Sequence, residues 1–131
     1  MPLYALTLDL KDDQRLIDEY LEHHRRVWPE VLEALAATGL EDIKIYLAGR
    51  RLFMVMTAPS GFDPERSFAE YRKNPVAARW DELMKTYQQK LPEAGPGQWW
   101  MTLSPVFDFV AQLDVLRRTP RQTDVATTRS P

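Results

Sequence analysis

Five consecutive apolar residues, Leu52-Phe53-Met54-Val55-Met56, constrain the fold of this 131-residue chain more tightly than any other segment. Side chains alternate between the two faces of a strand, so a strand of this composition is apolar on both. Each face then needs a cover. Helices of the same chain can supply one, and a second copy of the chain is expected to supply the other. The run follows Ile43, Ile45 and Leu47 across Ala48-Gly49-Arg50-Arg51, whose length and composition suit a tight turn. Residues 43–47 and 52–57 are therefore expected as an antiparallel hairpin.

Upstream, Tyr4, Leu6, Leu8 and Leu10 alternate with Ala5, Thr7 and Asp9 in the period-two pattern of a strand, and Asp12 and Asp13 follow as N-cap candidates. From Leu16 the apolar positions Ile17, Tyr20, Leu21, Trp28, Val31, Leu32 and Leu35 recur at helical spacing, with Gly39 as a left-handed stop. Pro29 lies inside this stretch and removes a backbone hydrogen bond, at a cost of about 3 kcal/mol. A bend is expected just after Trp28. Asp63-Pro64 and Asn74-Pro75 each set a capping side chain before a proline, which predicts two further helix starts. The second of these helices is expected to reach about Lys90, where Leu91-Pro92 and Gly95-Pro96-Gly97 make a loop. Residues 104–110 are expected as the last strand. The order βαββαβ, with the second helical region in two pieces, is the split arrangement of a ferredoxin-like α+β domain with an antiparallel sheet. Residues 1–110 are assigned to that domain. Residues 111–131, polar after Leu116, are expected as a C-terminal extension, partly flexible or clasping a partner.

Composition narrows the function. With 44% hydrophobic and 27% charged residues the chain can build one core. A net charge of -2, without a basic stripe, argues against nucleic acid as a partner. Zero cysteines exclude disulfides, thiolate nucleophiles and cysteine-held metals, and fit a reducing compartment. No stretch approaches the roughly 20 apolar residues that cross a bilayer, and Met1-Pro2-Leu3-Tyr4 lacks the basic start of a secretion signal. A soluble, cytoplasmic protein is expected. The glycines never form a phosphate-cradling loop, so no nucleotide cofactor is expected. Two adjacent histidines without a His-Glu-x-x-His pattern predict no metal.

The candidates for chemistry lie on the first helix. His23 and His24 differ by about 100° around its axis. His24 lies four residues after Tyr20 and four before Trp28, on the apolar stripe, whereas His23 falls off it beside Glu19 and Arg26. His24 is expected to face inward. Tyr20, His24 and Trp28 then place a phenol, an imidazole and an indole along one face, which serves equally as core packing or as the wall of a polar ligand's site. Tyr46 shares a strand face with Lys44, opposite Ile43, Ile45 and Leu47. It is either a half-exposed sheet residue or directed into a cavity. Trp80, beside Ala77, Leu83, Met84 and Tyr87, reads as core on periodicity alone.

The segment Tyr20-Leu21-Glu22-His23-His24-Arg25-Arg26-Val27-Trp28-Pro29-Glu30 resembles the Tyr-x-x-x-His-x-x-x-Trp-Pro-Glu signature of the L-rhamnose mutarotase family. The resemblance runs through Ile45-Tyr46-Leu47 and Arg79-Trp80, from about residue 3 to 110. It implies a dimeric α+β barrel, in which the sheets of two subunits pack together, and no cofactor. It also implies that His24 is the proton donor and that Tyr20, Tyr46 and Trp80 line a monosaccharide site. Where the rhamnose enzymes tend to carry a second tryptophan after the first, this chain has Asp81. The segment Tyr87-Gln88-Gln89-Lys90-Leu91-Pro92-Glu93-Ala94-Gly95-Pro96-Gly97, followed by Trp100, looks more like the L-fucose branch and adds Trp100 to the site. Both sugars are 6-deoxy-L-hexoses, so the resemblance implies interconversion of α and β anomers by histidine acid-base catalysis. Two other functions suit a dimeric α+β barrel: a cofactor-free monooxygenase, revealed by oxygen uptake, and a non-catalytic small-molecule-binding domain, revealed by binding without turnover.

Overall fold

In the computed structural model, which describes residues 2–118, the sheet is organised around β1 (Leu3–Leu10). One edge of β1 pairs antiparallel with β3 (Arg51–Thr57), from Leu3 opposite Thr57 to Asp9 opposite Arg51. β3 is joined to β2 (Asp42–Ala48) by a turn at Gly49 and Arg50, closed where Ala48 faces Arg51. Gly49 has φ +63°, a left-handed conformation that a tight hairpin demands and glycine adopts without penalty. The opposite edge of β1 is shared end to end by β4 (Gln88–Gln89) and β5 (Met101–Leu103). The order β2-β3-β1-β4, all antiparallel, is the ferredoxin-like arrangement that the pattern of elements predicts.

The expected strand over residues 104–110 is not there. Its place beside β1 is taken by the two shorter strands that precede it, and the chain past Leu103 leaves the sheet. Pro105 has no N–H to give a ladder, Val106 is fully exposed, and the Asp108 carboxylate accepts from the Ala111 N–H at 2.9 Å. That cap starts α5 (Phe109–Arg118), so the part of the C-terminal extension that is described is helical. Residues 119–131 of the extension lie outside the described residues.

Between β1 and β2 run α1 (Gln14–Arg25) and α2 (Pro29–Ala37). The anticipated bend is a complete break. A proline ring clashes with the carbonyl four residues earlier, here that of Arg25, and forces the residue before it out of the helical region. Accordingly α1 ends at Arg25, Trp28 has an extended ψ of 133°, and its carbonyl accepts from the Val31 N–H at 2.9 Å to begin α2. Between β3 and β4 run α3 (Pro64–Tyr71) and α4 (Pro75–Lys85). Asp13, Asp63 and Asn74 each cap a helix with a side-chain oxygen, as their positions before the helical runs require. α4 stops at Lys85 rather than near Lys90. The backbone beyond it is recruited by β1, with Gln88 opposite Leu10 and the Lys11 N–H donating to the Tyr87 carbonyl at 2.9 Å. Unpaired sheet-edge groups at that point outweigh one more helical turn.

The helices cover one face of the sheet, and Leu8, Leu10, Leu52, Met56 and Val31 are the largest side chains sealed between them. The other face presents Leu3, Tyr46, Phe53 and Leu103, all exposed. The central strand is thus apolar on both sides and covered on one. Exposed apolar groups also mark the C-terminal segment, where Val106, Phe107, Phe109, Val110 and Leu116 face solvent. Among the described residues no helix is long and apolar enough to cross a membrane. Leu10 is fully buried in the main core, so Leu10→Ala is expected to lower the unfolding free energy by about 2–5 kcal/mol in urea titrations.

Candidate active site

The helical layer does not fill all the space it covers. A hollow of about 900 Å³ lies over the sheet, floored by Ile43, Ile45, Met54 and Met56 and walled by α1, α2, α3, α4 and the loop that joins β4 to β5. Its wall carries Tyr20 and His24 from α1, Trp80 and Asp81 from α4, Gln88 from β4, and Trp99 and Trp100 from the loop. The loop leaves β1 after Gln89 and returns at Met101, and this detour turns the two tryptophans over the cavity. A bulge between two short strands on one edge therefore builds one side of the site.

His24 is fixed by its own helix. One ring nitrogen, Nδ1, lies 2.9 Å from the Tyr20 carbonyl oxygen one turn earlier. A carbonyl only accepts, so Nδ1 carries the hydrogen, and in the neutral ring Nε2 carries a lone pair. Burial holds the imidazole below its ordinary range; the Tyr20 carbonyl opposes that shift, and a charge on neighbouring His23 would reinforce it. The ring also packs against Tyr20, with centroids 4.3 Å apart, and against the edge of Trp80 at 5.4 Å. At neutral pH His24 is consequently an uncharged base with a defined tautomer.

Tyr20 is 2% exposed, and burial raises its phenol to about 12 although a hydrogen bond with the Gln88 side chain opposes the rise. It stays a protonated hydroxyl. Trp80, 6% exposed, meets His24 on one side and Trp28 on the other at 5.1 Å. Trp28 is therefore a buttress for Trp80 and not a wall of the hollow, because the helix break moves it off the line of Tyr20 and His24. Trp99 has the ammonium groups of Lys85 and Lys90 over its ring at 5.7 and 5.8 Å, which holds the loop to α4.

Of the residues singled out by sequence, Tyr20, His24, Trp80 and Trp100 come together around the hollow. Tyr46 does not. It lies on the sheet face away from the helices, 55% exposed and opposite Phe53, because strand alternation gives the cavity side to Ile43, Ile45 and Leu47. His23 is also not the idle surface residue its position suggests. The Tyr87 hydroxyl donates to Glu19 at 3.2 Å and accepts from His23 Nε2 at 3.1 Å, and the His23 ring stands at the edge of Trp80 at 6.2 Å. This chain of hydrogen bonds ties α1 to the turn between α4 and β4, next to His24.

Gln88, Asp81 and Trp99 are cavity residues that sequence reasoning did not select. Gln88 was read as part of a helix reaching Lys90, and only its pairing with Leu10 on β1 brings it to the hollow. Asp81 stands one residue after Trp80, half-buried, and burial pushes its carboxyl above the usual range against the opposing charges of Arg72 and Lys85. Among the described residues no group of three or more His, Cys, Asp or Glu side chains is placed to share a metal ion. The chemistry the hollow offers is a neutral imidazole, hydroxyl and amide hydrogen-bonding groups, a carboxylate and indole faces. Such a set suits a small polyhydroxy ligand that exchanges protons.

Comparison with known proteins agrees. The family model for L-rhamnose mutarotase matches residues 3–109. An L-fucose mutarotase of Xanthomonas campestris is 37% identical over 109 residues, covering 82% of this chain and 87% of its own. An L-rhamnose mutarotase of Paraburkholderia phymatum is 31% identical over 93 residues, covering 70% and 81%. A UPF0734 protein of Dictyostelium discoideum is 44% identical over 109 residues, covering 80% and 87%. Among solved structures, an L-rhamnose mutarotase of Formosa agariphila superposes with a TM-score of 0.60 at 21% identity, over 82% of this chain and 98% of that one. A dimeric ferredoxin-like protein from an uncultured marine organism follows at 0.52 and 18%, over 81% and 90%. At these identities the structural likeness concerns the fold. The family rests on the match from residue 3 to 109, and this chain belongs to the L-rhamnose mutarotase family, a family of isomerases.

Proposed function

We propose that the protein interconverts the α and β anomers of a 6-deoxy-L-hexose, with L-fucose favoured over L-rhamnose, and that His24 carries the proton transfer. The observation that supports this most directly is the bond from His24 Nδ1 to the Tyr20 carbonyl, which leaves the Nε2 lone pair as the one ring site free to take a proton. Support for L-fucose comes from the Xanthomonas relative, named for that sugar and 37% identical where the Paraburkholderia rhamnose enzyme is 31% identical. The absence of cysteine supports action in the cytoplasm.

Ring opening removes the proton from the anomeric hydroxyl, breaks the bond between the anomeric carbon and the ring oxygen, and places a proton on that oxygen. The free aldehyde then turns about its bond to the next carbon, and the ring hydroxyl adds to the opposite face. His24 Nε2 takes the anomeric proton in the first half and returns it to the carbonyl oxygen in the second, while water serves the ring oxygen. His24 is thus an acceptor first and a donor second, whereas the resemblance implies a donor. Tyr20 supplies a hydroxyl for the sugar, and Trp80 and Trp100 offer indole faces to its C–H surface and methyl group.

Two copies of the chain form the working unit in this proposal. The sheet face bearing Leu3, Tyr46, Phe53 and Leu103 is the surface they share, and Tyr46 belongs to that contact and not to the hollow of its own subunit. Exposure of these side chains on a strand that is apolar on both faces supports this reading, as does the dimeric ferredoxin-like protein of the same fold.

His24→Ala is expected to slow anomer exchange, followed by NMR saturation transfer on L-fucose and L-rhamnose, by about 10²- to 10⁴-fold while the thermal transition is retained. Full activity in this variant would refute the assignment. Because burial depresses the His24 pKa, the neutral base persists below about pH 6.5, so the acid limb of the rate profile is expected below that value. A limb at or above pH 6.5 would contradict the buried neutral imidazole. Phe53→Asp is expected to give a monomer in sedimentation, where the wild type is a dimer; a monomeric wild type would refute the shared face.

A further inference from the structure

The Asp81 carboxylate has no protein partner: it lines the hollow next to Trp80, and among the described residues no hydrogen bond or ion pair engages it. The cations nearest in charge are Arg72 at the end of α3 and Lys85 one turn on along α4, with Glu82 beside it and the Tyr71 hydroxyl across from it. Lys85 bonds instead to Glu82 at 3.3 Å and stands over the Trp99 ring. An ionised carboxylate has about four lone-pair directions to fill. Half-buried at the wall of the hollow, with none of them bonded to protein, it keeps all of them for a donor that enters the hollow. Glu65, the other carboxylate at the hollow, is exposed and has water for that purpose.

A pyranose brings the missing donors. Neighbouring hydroxyls on one side of a sugar ring can both donate to the two oxygens of one carboxylate, and Trp80 and Trp100 line the same hollow. We infer that Asp81 is the specificity-determining residue of the hollow, accepting hydrogen bonds from two adjacent sugar hydroxyls and so choosing between hexoses that differ in hydroxyl orientation. This deepens the mutarotase reading and rests on it. The carboxylate stays ionised when sugar is bound, because two hydroxyl donors stabilise the charged form, and it takes no part in the proton transfer at the anomeric carbon. L-Fucose and L-rhamnose differ in which pair of neighbouring hydroxyls lies on one side of the ring, which is the feature a two-oxygen acceptor reads.

The test compares wild type, Asp81→Asn and Asp81→Glu in two assays. Sugar binding is followed by the fluorescence of the cavity tryptophans on titration with L-fucose and with L-rhamnose, and turnover by NMR anomer exchange over a range of sugar concentrations. Asp81→Asn keeps the shape and loses one acceptor oxygen and the charge. It is expected to bind the preferred sugar roughly 10- to 100-fold more weakly, the worth of a hydrogen bond to a charged group, with KM rising in step and kcat within about threefold. The ratio of the two sugars is expected to move toward one, and Asp81→Glu to recover part of the binding. Unchanged binding and unchanged selectivity in Asp81→Asn would overturn the inference, whether or not its thermal transition falls. A loss confined to kcat would also overturn it, by making Asp81 a proton-transfer group. A wild type that binds these sugars without exchanging their anomers would refute the mutarotase reading alone, since the binding arm still reads the carboxylate.

Discussion

The bond from the His24 ring to the Tyr20 carbonyl is the contact on which the rest of the site depends. It costs no second element, since it spans one turn of α1, yet it decides which nitrogen carries the proton. Without it the imidazole could adopt either tautomer, and the other nitrogen could be a donor instead of an acceptor. Burial against Tyr20 and Trp80 adds the second condition, that the ring stays uncharged near neutral pH. Tautomer and charge together define a base.

The fold supplies this base with a place to work. Pro29 ends α1 at Arg25, one residue after His24, so the imidazole sits in the last turn of a helix whose continuation has been turned aside. Trp28, displaced by the same break, props Trp80 against the other side of the ring. The sheet edge contributes next. Splitting the strand beside β1 into β4 and β5 frees the loop with Trp99 and Trp100, and the same pairing that ends α4 early brings Gln88 to the Tyr20 hydroxyl. Behind the site the chain from Glu19 through Tyr87 to His23 locks α1 to the turn between α4 and β4.

Much of this was legible in the sequence, and the failures have physical causes. Alternation in β1 and in the hairpin, the caps at Asp13, Asp63 and Asn74, and the stop at Gly39 are local signals, and local signals suffice for them. The end of α4 is not local: nothing near Lys85 says that an open stretch of β1 will claim Gln88. The last strand was misplaced for a related reason, since residues 104–110 have strand-like composition but Asp108 caps a helix within them. Among the residues around the hollow, the inward turn of His24 beside Tyr20 followed from helical spacing, while Trp80 and Trp100 came from the family resemblance. Tyr46 fell to the same alternation rule that predicted its neighbours, because a face opposite Ile43 and Ile45 is the face away from the hollow. Asp81 and His23 were visible as residues, but their roles depend on partners far away in sequence.

The proposed chemistry turns on the protonation pattern of one ring, and nitrogen-15 NMR of the histidine side chains reads it directly. At pH 7 a neutral His24 with hydrogen on Nδ1 and a bare Nε2 is expected, with an Nε2 resonance that shifts when L-fucose is added. A His24 found as the imidazolium at that pH, or as the tautomer with hydrogen on Nε2, would contradict that chemistry.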